Sequence, residues 1–181
     1  MPGFQDRILR AAKLDVHLYE EVEADRGAMG QAMAVVAISS VAAGIGTIGM
    51  AGVNPGTILW GIVGALLSWY IWAYLAYFIG TRLLPEPQTH ADHGQLLRTI
   101  GFSSAPGLIR VLGIIPALGA VVFLAASIWM LIAMVIAVRQ ALDYKSTWRA
   151  LAVCGIGWII QTVIIMILFS VFGGGPATPA G

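Results

Sequence analysis

The chain has 181 residues, of which 59% are hydrophobic and 10% charged, and its mean hydropathy is +0.85. Soluble proteins carry about 25% charged residues, so this composition excludes a soluble fold and sets the class as an all-α integral membrane protein. A net charge of +1 offers no basic surface for nucleic acid, and the single cysteine, Cys154, excludes an intramolecular disulfide.

Residues 1–26 form a polar head. They are charged throughout and lack the apolar core of a cleavable signal peptide, so the first span is expected to act as an uncleaved signal. Phe4, Ile8 and Leu9 recur at helical spacing, as do Leu14, Leu18 and Val22. Arg7, Arg10 and Lys13 lie on the other side of the first turns. The Asp15 carboxylate can accept free N–H groups and is expected to cap a second helix. The pattern predicts two short amphipathic N-terminal helices lying at the membrane surface.

Asp25 is expected to cap the next helix. From about Ala28 to Gly52 the chain is apolar and dense in small residues, with Ser39 and Ser40 followed by Gly44, Gly46, Gly49 and Gly52. Small residues at this spacing let helix backbones approach closely in lipid, which makes these four glycines candidate packing positions. A turn at Val53-Asn54-Pro55-Gly56 leads to a second span, about Thr57 to Ile79. The rings from Trp69 to Phe78 place its second half near a headgroup zone.

Thr81 to Gln95 reads as a loop, because Pro85 and Pro87 cannot continue a helix. A third span is expected over Leu96–Ile115, kinked at Pro106, with a fold-back at Pro106 as the alternative. A fourth follows from Ala117 to Val138, which is long enough to cross a bilayer. A polar link, Arg139 to Arg149, leads to a fifth from Ala150 to Phe172. The expected organisation is a head over 1–26, five transmembrane helices within 27–173 and a flexible tail over 174–181.

Charge discriminates between layouts. Five spans with the N-terminus inside place nine of the ten basic residues in the cytoplasm and leave only Arg110 over. Four spans would put seven inside and three outside. The five-span reading therefore stands, in the plasma membrane, with the C-terminus outside.

Few residues suit chemistry. His90 and His93 flank Asp92, but a metal site needs three or four ligands, so this stretch reads as a solvated loop and no metal or cofactor is expected. Arg110 is the one charge near the bilayer interior and is expected to snorkel to the outer interface. Gln161, midway along the fifth span, reads as interhelical glue. Arg139 and Asp143 are spaced to pair at the end of the fourth span. No acidic residue lies inside any span, which argues against ion-coupled transport. No phosphate-cradling glycine motif is present.

Several blocks carry a family likeness: D-V-H-L-Y-E-E-V-E-A-D-R-G-A-M-G-Q-A-M-A-V-V, then G-F-S-S-A-P-G-L, then I-W-M-L-I-A-M-V-I-A-V-R-Q-A-L-D, then R-A-L-A-V. They resemble the bacterial branch of the Yip family, the Ypt/Rab-interacting membrane proteins, from about Phe4 to Phe172. The likeness is carried by Tyr19, Glu20, Asp25, Gln31 and Ala32, by Gly101, Ala105 and Pro106, and by Trp129, Val138, Arg139, Ala141, Leu142, Asp143, Arg149 and Ala150. It implies five spans and a cytoplasmic N-terminus, in agreement with the charge count. Eukaryotic relatives are linked to Rab GTPases, whereas the prokaryotic look of this chain implies no Rab partner.

The resemblance implies a non-enzymatic scaffold or interaction subunit. Its expected partners are membrane lipids, other integral membrane proteins or a second copy, with no small-molecule substrate identified. The alternative is a small channel or transporter for an anionic solute, its pathway lined by Arg110, Ser103 and Ser104.

Overall fold

The computed structural model describes residues 3–51, 55–115 and 117–172. Gly52, Pro116 and the tail from 173 onward lie outside the described residues. Every regular element among the described residues is helical.

Two short helices open the chain, α1 (Phe4–Ala12) and α2 (Val16–Ala24). Between them Leu14 takes a left-handed conformation, φ 61°, which turns the chain sharply. Asp15 caps α2, its carboxylate accepting the His17 N–H at 3.0 Å. Asp25 does the same for Gly27 at 2.9 Å and starts a single 3-10 turn, Arg26–Ala28, that runs into α3 (Met29–Ala51). The head covers protein: Leu18, Tyr19 and Val22 are fully buried in one cluster with Ala32, Phe102, Ala105 and Ala137 of the bundle. The apolar positions of α2 are therefore used against the bundle instead of a bilayer surface.

Four helices are long and apolar enough to cross a membrane: α3, α4 (Pro55–Phe78), α6 (Gly119–Ala141) and α7 (Thr147–Phe172). Helix α4 continues through one wider π turn, Ile79–Leu83, so the expected loop begins later than Thr81. Helix α7 begins three residues before the expected Ala150.

The expected third span is not one α-helix. It is α5 (His93–Phe102) followed by a 3-10 helix, Ala105–Ile114. A reciprocal capping box starts α5: Asp92 accepts from the Gln95 N–H, and the Gln95 side chain accepts from the Asp92 N–H. Its end has a local cause. The Ser103 hydroxyl bonds back to the Ile100 carbonyl at 2.7 Å, and Pro106 has no N–H to offer.

The broken segment nevertheless lies along α3 from the level of Ala32 to that of Gly46. Ten α residues rise about 15 Å and ten 3-10 residues about 20 Å. The sum matches the roughly 34 Å of the 23-residue α6. Its register against α3 is legible from three close approaches. A Cβ added at Gly101 would lie 2.7 Å from that of Ala32, one at Gly107 would strike the Ser39 hydroxyl, and one at Gly113 would lie 3.2 Å from the Gly46 carbonyl. Both sets of numbers rise together, so the segment travels alongside α3 in the same direction.

Candidate functional site: a serine-rich cavity in the bundle

A cavity of about 580 Å³ lies where the long elements converge. Helix α3 contributes Ser39 and Ser40, α4 contributes Ser68 and Trp72, and the end of α5 contributes Ser103 and Ser104. The 3-10 helix adds Arg110, α6 adds Ser127 and Met130, and α7 adds Trp158 and Gln161. Six hydroxyls and one guanidinium thus line a space inside an apolar bundle. No Asp, Glu, His, Lys or Cys is among the described lining residues. The wall can donate hydrogen bonds and present positive charge. It holds no carboxylate or imidazole to move a proton.

Arg110 is half-buried and reaches toward α6. Its Nη2 donates to Ser127 Oγ at 3.1 Å, and that hydroxyl donates onward to the Phe123 carbonyl at 2.8 Å. The guanidinium carbon stands 5.6 Å from the Phe123 ring centroid, a cation–π distance. Its Nε is buried and has no hydrogen-bond partner among the described residues; the same is true of the Trp72 indole N–H. The 3-10 backbone is pressed against α3 at this level, where the Arg110 carbonyl occupies the space beside Gly46.

The other candidate residues are distributed as follows. Gly46 faces that carbonyl and the Phe123 ring, whereas Gly44 faces Ile58 of α4, 3.1 Å from a notional Cβ. Gly49 lies within α3. Pro106 is buried beside the cavity. Gln161, Ser103 and Ser104 line it. Asp92 caps α5, and His93 stands edge-on to Tyr70 and Tyr74, with centroids 5.0 and 5.7 Å away. Among the described residues no three His, Cys, Asp or Glu side chains come together as metal ligands. Arg139 does not pair with Asp143. Asp143 turns the chain at φ 53°, and Arg139 Nε bonds the Tyr144 carbonyl at 3.2 Å instead.

A second polar assembly joins the head to the bundle. Arg7, with only 5% of its side chain exposed, lies 2.8 Å from both Glu21 and Asp25 and donates to Gln31 at 3.0 Å. Arg98 of α5 donates from Nε to the Val22 carbonyl at 2.9 Å and from Nη2 to the Glu23 carbonyl, capping the end of α2. Gln140 of α6 donates to Glu20 at 2.9 Å. Asp25 is held below the usual carboxylate range chiefly by its hydrogen bond from Arg7. Glu23 moves the other way: burial, reinforced by nearby Asp143, Glu20 and Asp92, pushes it up to about 7 against the pull of Arg98. Sequence reasoning missed Arg7 and Arg98 as linchpins and Ser127 as a partner of Arg110. Their signals were single polar residues within apolar or amphipathic helices, with nothing local to mark the distant partner.

Compared with known families, the chain matches the Yip1 domain over residues 17–169. No curated protein and no solved structure matches it.

Proposed function

This chain belongs to the Yip family of multi-pass membrane proteins, and from that premise we propose that it is a non-enzymatic, five-span interaction protein of the bacterial branch. In this reading it sits in the plasma membrane and acts by binding lipid, other membrane proteins or a second copy of itself. The broken third segment supports five passes, since it has the length of a span and runs in the direction of α3. Charge supports a cytoplasmic head: the head, the α4–α5 loop and the α6–α7 link gather at one end of the bundle with nine of the ten basic residues.

One observation carries the binding reading. The elements of the bundle leave a space at their meeting point, walled by hydroxyls, indoles, an amide and a guanidinium, with no acid–base group among the described lining residues. Such a site can hold a ligand but has no means to shuttle a proton. The test is gentle extraction from the native membrane, then size analysis and mass spectrometry of what stays bound. A retained lipid, a protein partner or a defined homo-oligomer is expected. A bare monomer in several mild detergents would remove the reading.

The cavity also favours a second reading, an anion channel or transporter, because Arg110, Ser103 and Ser104 all face it. Flux of an anion into proteoliposomes that disappears in Arg110→Ala would establish that reading. Absence of flux for every anion tested would end it. The buried cluster of Leu18, Tyr19, Phe102 and Ala105 would have to part for a solute to leave at the head end.

A further inference from the structure

We infer that the cavity receives the headgroup of an anionic lipid from the leaflet opposite the head, with Arg110 as its counter-charge. The inference rests on the binding reading above and specifies its ligand.

The charge inventory comes first. All nine acids lie at positions 6–25, 86, 92 and 143, in the head and in the two connections gathered beside it. Arg110 is at the other end. Its carbonyl abuts Gly46, whereas Ala32 packs at the level of Gly101 near the head. Fourteen helical residues separate those levels, about 21 Å. That exceeds the distance of about 8–10 Å over which exposed charges are felt at ordinary salt. No Asp or Glu among the described residues therefore reaches Arg110. A half-buried cation set among apolar helices without a counter-ion is costly, and a hydroxyl, a ring face and an unpartnered Nε do not neutralise it. An anion from outside the chain would.

The shape selects a lipid over a free ion. Ile128 and Leu131 of α6 and Trp158 of α7 line the cavity and are also 53%, 51% and 72% exposed. They form a side mouth continuous with the apolar belt of α6, where Val121 and Leu124 are also exposed. Ile128 and Leu131 follow Ser127 along α6, on the way toward the head end. A headgroup held at Arg110 and Ser127 would thus send its chains out through apolar residues and toward the middle of the bundle. That is the orientation of a lipid in the far leaflet. A free phosphate would use only Arg110 and the hydroxyls and leave this mouth without a role. The volume, about 580 Å³, falls within the roughly 300–1,000 Å³ of small-molecule sites.

The experiment uses the full chain in a zwitterionic detergent, with phosphatidylglycerol or phosphatidylcholine added and bound lipid counted by native mass spectrometry. Wild-type protein is expected to retain phosphatidylglycerol over phosphatidylcholine by about tenfold, the size of one charge-assisted contact. Arg110→Gln should lose that preference, and Arg110→Lys should keep most of it. Equal retention of the two lipids by wild-type protein overturns the inference, whether or not a variant folds. So does an undiminished preference in folded Arg110→Gln, which would move the site elsewhere. Displacement of phosphatidylglycerol by inorganic phosphate would make the ligand a free anion and overturn the lipid assignment. A protein partner found on extraction, with no lipid preference, would leave the binding reading intact and sink this one.

Discussion

Arg7 and Arg110 are the same side chain in opposite circumstances. Arg7 sits between α1, α2 and α3, within 2.8 Å of two carboxylates and bonded to the Gln31 amide. Arg110 sits among apolar helices, with one hydroxyl and one ring. The first is neutralised by the chain itself and acts as structure. The second has no Asp or Glu beside it among the described residues. A buried charge thus reports function where its own fold does not complete it.

The comparison can be broken at several points. The largest effect is expected from Arg7→Ala, which strips Glu21 and Asp25 of their common partner and should lower unfolding free energy by about 3 kcal/mol. Denaturation in detergent measures it, and a loss under about 0.5 kcal/mol, the scale of an exposed pair, would place Arg7 among surface charges. Next is Gly101→Val. The half of the molecule around Arg110 is held by packing, and a branched side chain here must push α5 off Ala32 of α3, at about 2 kcal/mol. An unchanged Tm would mean that the broken segment is not seated on α3.

A smaller effect concerns pH. The Glu23 carboxyl titrates at about 7 in the fold against an ordinary value of 4.5, so it binds its proton more tightly folded than unfolded. Its contribution is complete below about pH 4.5 and is lost as pH rises through about 7. Asp15 and Asp25 are lowered by their arginine partners and act in reverse, losing their contribution only on acidification below the ordinary carboxylate range. Wild-type stability should therefore decline between pH 5 and 7 in a way that Glu23→Gln abolishes. A decline of equal size in the variant would assign it to another group. The smallest effect on stability, and the sharpest contrast with Arg7, is Arg110→Gln in lipid-free detergent. It breaks no ion pair, so Tm should stay within a few degrees or rise. A fall as large as that of Arg7→Ala would mean that Arg110, too, is structural.

Much of this architecture is legible in the sequence, for a physical reason. The apolar runs that became α3, α4, α6 and α7 are each long enough to satisfy every backbone group internally, which is what lipid demands of a span. Their ends fall within three residues of expectation. The third segment resisted the same logic. Its hydropathy is that of a span, but Ser103, Ser104 and Pro106 interrupt the α ladder, and the chain continues as a 3-10 helix with a longer rise. In that helix residues three apart align, so Gly107, Arg110 and Gly113 share one side, which meets Met130, Ser127 and Phe123 of α6. An α period conceals this alignment. The caps at Asp15, Asp25 and Asp92 depend on neighbours in sequence. The first two are legible as caps, whereas His90 and His93 on either side make Asp92 read as part of a solvated loop. The cavity was the least legible feature, since its hydroxyls arrive one or two at a time from separate helices.

The docking of the head also sets a schedule. Its bonds reach far along the chain, from Val22 to Arg98 and from Glu20 to Gln140, separations of 76 and 120 residues. Translation proceeds at about 5–20 residues per second. The head is therefore made about 6–24 s before the last residue that holds it has left the ribosome. Through that interval Leu18, Tyr19 and Val22 have no bundle to cover them. Helices α1 and α2 are synthesised well before the segments that hold them, and they are among the last to reach their place.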